Sequence, residues 1–161
     1  MRLINCQIQN VRVHSNFSLK FAPGITLIGG SNETGKSTLI EALHRALFLK
    51  ASATGTPIEA LRSRTHIGHP TIQLTFEAKK QVYKLIKCFS GSSGQITLHN
   101  ETRGDFLSGQ LAEESLAQLV GVKETLSSRQ ANSLLPTRWA HLWVMQGMSG
   151  SDIFKMNKEN Y

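Results

Sequence analysis

The chain has 161 residues, 40% of them apolar and 18% charged, which gives room for one domain with a real core and excludes global disorder. Its 18 Lys and Arg against 11 Asp and Glu leave a formal charge of +7 and bias the surface toward polyanions, meaning nucleotides or nucleic acid. No apolar run reaches the roughly 18 residues that cross a bilayer, and the start lacks a charged segment followed by an apolar one, so a cytoplasmic or nucleoid address and no membrane partner are expected.

The first third reads as alternating strands. Leu3 to Ile8 places apolar residues two apart, and Phe17-Ser18-Leu19-Lys20-Phe21 alternates strictly. Pro23-Gly24 marks a turn, and Ile25 to Ile28 is a short apolar run that predicts a strand buried on both faces. A helix is predicted from Lys36 to about Leu49, because Leu39, Ile40, Leu43, Leu47 and Phe48 recur at three- and four-residue steps. Ala51 to Pro57 reads as a loop. Strands are expected again at Thr71–Phe76, Val82–Lys87 and Gln95–Leu98, as an antiparallel meander with a turn at Ser90–Gly94. Leu111 to Val120 has helical spacing, with Gly121 as its stop. Ala140 to Met145 reads as another buried strand, and after Gly147 the composition turns polar. Cys6 and Cys88 form no CxxC and read as reduced apolar fillers.

Gly30-Ser31-Asn32-Glu33-Thr34-Gly35-Lys36-Ser37 matches G-x-x-x-x-G-K-[ST] at every fixed position. It also stands between a predicted strand and an amphipathic helix, where the mechanism requires it. Glycines let the backbone come close to phosphates, and the loop N–H groups and the helix start then face the anion. Lys36 is expected to reach the β- and γ-phosphates, Ser37 to bind Mg²⁺, and Thr38 to add a hydroxyl near the α-phosphate. The expected ligand is ATP with Mg²⁺, and the expected class is α/β: a P-loop NTPase core with a flanking antiparallel sheet.

Met1 to Phe48 resembles the N-terminal lobe of SMC/RecF/RecN-type ABC ATPase heads, in particular the ATPase subunit of the double-strand-break repair complex and its bacterial relatives. Asn10-Val11-Arg12-Val13-His14 carries the resemblance, followed by Phe17–Phe21, Gly24–Ile28 and the Asn-Glu-x-Gly-Lys-Ser-Thr form at Asn32 to Thr38. Leu61-Arg62-Ser63 and Tyr83-Lys84-Leu85 also fit. The resemblance implies that Gln146, at the end of the Leu142–Met145 run, is the Q-loop glutamine that ligands Mg²⁺ or the attacking water. It implies that Arg12 lies near the phosphates, where a guanidinium can donate bidentately. It implies that residues 1–150 form the N-terminal lobe and that 151–161 are a polar tail leading toward a coiled coil. A C-terminal lobe of the same protein, a homodimer of heads around nucleotide, DNA and a nuclease subunit are the implied partners.

A Walker B run ending in Asp-Glu is missing, as are a full signature motif and a switch histidine. The chain therefore reads as half of an ATPase head that hydrolyses little alone. Leu107-Ser108-Gly109-Gln110 lacks the second glycine of LSGGQ and reads as a loop before a helix. His66 and His69 stand among Thr65, Gly68 and Pro70, so a loop is expected there and not a metal site. Trp139 and Trp143 read as core. Arg62, Arg64, Lys79, Lys80, Lys84 and Lys87 are the expected DNA contacts, with Lys84 and Lys87 on opposite strand faces. A transporter-type ABC domain and a nucleotide-binding interaction module that does not hydrolyse stand as alternatives. The missing aromatic position ahead of the P-loop argues against the first.

Overall fold

The computed structural model describes residues 1–138. Its frame is a six-stranded antiparallel sheet in the order β2-β1-β3-β4-β5-β6. The strands are β1 (Arg2–Val11), β2 (His14–Lys20), β3 (Thr71–Ala78), β4 (Gln81–Cys88), β5 (Gln95–Asn100) and β6 (Asp105–Ser108). The β3–β4 turn carries Lys79 and Lys80 at φ of 49° and 60°, the pair of left-handed residues that matches the twist of a tight hairpin. Strand pairing follows side-chain alternation. In β4, Tyr83, Leu85 and Lys87 point to the core while Lys84 and Ile86 stay half-buried on the other face.

Helix α1 (Lys36–Phe48) packs against β1 and β3, and α3 (Gly109–Val120) packs against β5, β6 and α1. The core between them joins Leu39, Leu43, Leu47 and Phe48 of α1 to Ile8, Ile72, Leu74 and Phe76 of the sheet. Two short helices complete the described fold, α2 (Thr56–Glu59) and α4 (Ser128–Leu134). Helix α2 has a proline in its first turn, where the missing N–H is harmless. Helix α4 starts in a reciprocal capping box between Ser127 and Gln130. Neither was evident from apolar periodicity, because each is too short to show one.

Three expectations are corrected. Residues 25–28 form no strand: Ile25 and Leu27 are 95% and 93% exposed, and only Ile28 rests partly on the core. A strand buried on both faces needs an in-plane neighbour for its backbone, and none of the described strands pairs with this segment. Leu107 and Ser108 belong to β6, held by the Leu98–Leu107 register, and Gly109 and Gln110 already open α3, so this stretch is not a loop. Lys87 is fully buried and cannot contact DNA. Its alternation with Tyr83 and Leu85 turns it inward, where the Glu113 carboxylate receives it.

Candidate functional site

The turn before α1 is built around Gly35. Its φ of 88° is left-handed, and a Cβ there would come within 2.3 Å of His14 Nε2 and 2.9 Å of Val13 Cγ2. Glycine is required on both counts. The His14 ring lies 3.3 Å from the Gly35 carbonyl through Nε2 and is tilted against Phe17, so the β1–β2 turn buttresses the P-loop from behind. Glu33 takes a left-handed φ of 66°, an uncommon conformation for a residue with a side chain.

The start of α1 is polar and open. No side chain caps it and its first turn holds no acidic residue, so the helix-start N–H groups and dipole are left for an external anion. Lys36 bends back across the loop, where Nζ donates to the Gly30 and Ser31 carbonyls at 2.8 and 2.5 Å. Thr34 Oγ1 donates to the Ser31 carbonyl and fixes the loop's waist. Ser37 is exposed, whereas Thr38 is buried at the root of the turn. Arg12, Val13, Asn32, Glu33, Gly35, Lys36, Ser37 and Thr38 line one open cleft of about 270 Å³. The fold thus brings Arg12 beside the P-loop although 24 residues separate it from Lys36.

Arg12 is anchored on three sides. Its φ is 46°, and its backbone N–H donates to the Leu61 carbonyl at 2.9 Å. Nε donates to the Ala60 carbonyl at 2.6 Å, Nη2 to Glu41 Oε2 at 2.6 Å and Nη1 to Thr38 Oγ1 at 3.4 Å. Glu41 also faces Arg45, whose Nη1 lies 3.4 Å from the same carboxylate oxygen and whose Nε donates to the Pro57 carbonyl. Burial lowers the Arg45 pKa; Glu41 raises it again and Arg12 lowers it further. Glu41 and Arg45 were not picked out from sequence as part of the site. Their i,i+4 spacing on a predicted helix was visible, but it marks an ordinary surface pair as readily as an anchor.

The donor set fits a polyphosphate with its divalent cation. Lys36, Arg12 and an uncapped helix start converge on one cleft, against the Glu33 carboxylate alone, and the exposed Ser37 hydroxyl supplies an oxygen of the hard type Mg²⁺ takes. Gln146, the Leu142–Met145 run that leads to it, Trp139 and Trp143 lie outside the described residues. His66 and His69 sit in a loop, and among the described residues no group of three His, Cys, Asp or Glu side chains is placed to hold a metal. No helix among the described residues is long and apolar enough to cross a membrane.

Comparison with known proteins accounts for this arrangement. A family model described as an AAA domain (AAA_23) matches residues 5–152. The chain belongs to that family. Within it, the chain is an N-terminal ATPase lobe of the RecF/Rad50 type. It is 25% identical over 126 residues to the DNA double-strand break repair Rad50 ATPase of Methanocaldococcus jannaschii, covering 78% of this chain and 12% of that protein. It is 28% identical to the DNA replication and repair protein RecF of Prosthecochloris aestuarii, over 86% of this chain and 46% of RecF. The lobe therefore spans less than half of either curated relative. A structure reported under ATP-driven dimerization and DNA-stimulated activation of SMC ATPases superposes with a TM-score of 0.55 at 14% identity, covering 98% of each chain. That likeness shows the fold: helices on an antiparallel sheet, with the P-loop opening the first long helix.

Proposed function

We propose that this lobe is the ATP-binding half of an SMC-like ATPase head that works in DNA repair or DNA processing. The observation that carries the reading is the shared cleft, in which Arg12 meets Asn32, Glu33 and Gly35 to Thr38 of the P-loop at the uncapped start of α1. The N–H groups of residues 30–36 cradle the phosphates, Lys36 leaves its loop carbonyls for the β- and γ-phosphates, and Arg12 donates to phosphate from the opposite wall. Ser37 and Gln146 would hold Mg²⁺, and Thr38 would add a hydroxyl near the α-phosphate. When bound, the cation neutralises phosphate charge and orients the oxygens for in-line attack.

Hydrolysis needs a C-terminal lobe of the parent protein. Among the described residues no carboxylate pair closes a buried strand beside the P-loop, and Ile25 and Leu27 stand exposed where an added strand would cover them. In this reading two such heads close around nucleotide, in the cytoplasm on the nucleoid, with a nuclease subunit as a further partner. DNA contacts fall to the exposed Arg62 and Arg64 after α2, where Arg62 bridges Val11 of β1, to Lys79 and Lys80 at the far end of β3, and to Lys84 on the outer face of β4. Such contacts are sequence-independent and weaken as salt rises.

Calorimetric titration with Mg-ATP tests the reading. The unaltered chain binds, and Lys36→Ala loses binding while keeping its urea-unfolding midpoint, since Lys36 bonds only oxygens of its own loop. Undiminished affinity in a folded Lys36→Ala chain would end the P-loop assignment.

A further inference from the structure

We infer that Glu41 is a positioning residue for nucleotide binding, holding the Arg12 guanidinium in its phosphate-facing pose from behind the cleft. The inference rests on the proposed nucleotide site, but its content is separate: Glu41 does not line the cleft. Its carboxylate is partly buried and lies between two guanidinium groups, 2.6 Å from Arg12 Nη2 and 3.4 Å from Arg45 Nη1.

The geometry of the fork explains the role. A guanidinium is a rigid plane with donors on fixed edges, so two bonds to different groups fix its orientation. The Ala60 carbonyl takes Nε and Glu41 takes Nη2, which leaves Nη1 turned toward Thr38 at the root of the P-loop. The Ala60 bond alone would let the plane swing, because Arg12 is about one-third exposed on a long side chain. A side chain of this length loses much rotamer freedom when ordered, so an anchor already in place removes a cost that ligand binding would otherwise bear. Glu41 is the only acidic partner that Arg12 and Arg45 have among the described ion pairs. Without its charge the two guanidinium groups repel each other on one face of α1, and only the Ala60 and Thr38 bonds hold the Arg12 plane. The same carboxylate is itself held, because Arg45 is tied to the Pro57 carbonyl and to the Glu41 backbone. Helix α2 and the residues after it thus form a back wall for the phosphate site, with the Leu61 carbonyl fixing the Arg12 backbone.

A double-mutant cycle on Mg-ATP affinity, measured by calorimetry on the full chain, decides the matter. Glu41→Gln keeps the shape and removes the charge, and it weakens Mg-ATP binding by roughly five- to tenfold, the range for losing one charge-assisted contact. In an Arg12→Ala background the same change costs less than about twofold, because the group it positions is gone. Glu41→Asp keeps the charge at shorter reach, gives an intermediate loss that also vanishes with Arg12→Ala, and stands in if Glu41→Gln fails to fold. A purely structural role would give equal losses in both backgrounds, and that result overturns the inference. So does unchanged or tighter binding in Glu41→Gln, the latter meaning that Glu41 competes with phosphate for Arg12. Absence of Mg-ATP binding by the unaltered chain would overturn the nucleotide site and this inference together. Normal binding with an additive cycle overturns this inference alone.

Discussion

The two ends of α1 treat charge in opposite ways. At its start the helix is uncapped, its turn is open to solvent, and the Lys36 ammonium is held by loop oxygens of Gly30, Ser31 and Thr34 that it can leave. At its end the Leu49 carbonyl accepts from Lys87 Nζ at 2.6 Å, and Lys87 is paired with Glu113 at 2.9 Å with no exposure of the lysine. Glu113 in turn accepts from the Ala51 N–H at 2.8 Å, so the chain leaving the helix is tied to α3 and β4. Burial lowers the Lys87 pKa and Glu113 opposes the shift. One lysine stands at the open end of the helix and the other is built into the core. A perturbed, buried lysine is the more conspicuous of the two, yet it lies at the end of the helix away from the cleft.

Removing a charge at each end separates these roles. Lys87→Met leaves Glu113 buried without its partner, and urea unfolding is expected to show a loss of about 3–5 kcal/mol. The matching change at the other end, Lys36→Ala, stays within about 0.5 kcal/mol in the same assay. Equal losses at both ends would break the comparison.

His44, on the buried face in the middle of α1, gives a smaller effect that depends on pH. Burial first, and the charge of Arg45 second, hold its pKa down at about 3 against an ordinary 6.5. The folded state keeps the ring neutral while the unfolded chain takes up a proton below 6.5. Stability from this group is therefore full above pH 6.5 and falls as pH drops toward 3. Between pH 7.5 and pH 5 the loss is about 2 kcal/mol, and His44→Leu is expected to remove that part of the slope. Urea midpoints at the two pH values check it, and an unchanged slope in the variant would contradict it.

The P-loop was legible because its rule is local: consecutive residues, a glycine with a left-handed backbone, and a helix that opens on Lys36. Five of the six described strands were legible from alternation, near their observed bounds, while β6 was not, because four residues leading straight into a helix show too little alternation to mark a strand. Long-range partners were not. Nothing in the sequence links Glu41 to Arg12 or Glu113 to Lys87, since each pair is made by folding distant segments together. Lys87 was misjudged because a charged residue in a basic set reads as surface, although its parity with Tyr83 and Leu85 already turned it inward. Ile25 to Ile28 shows the opposite failure. Its apolar run predicts burial, but burial of a strand depends on a neighbour that its own residues do not encode.

The most direct test is amide hydrogen exchange on the full chain with and without Mg-ATP. Exchange is expected to slow at residues 30–36, where the loop and helix-start N–H groups take up the phosphates, and to stay unchanged at residues 49–51, where Leu49 and Ala51 are already bonded. No slowing at residues 30–36 under saturating Mg-ATP would contradict the assignment of that end of α1 to nucleotide.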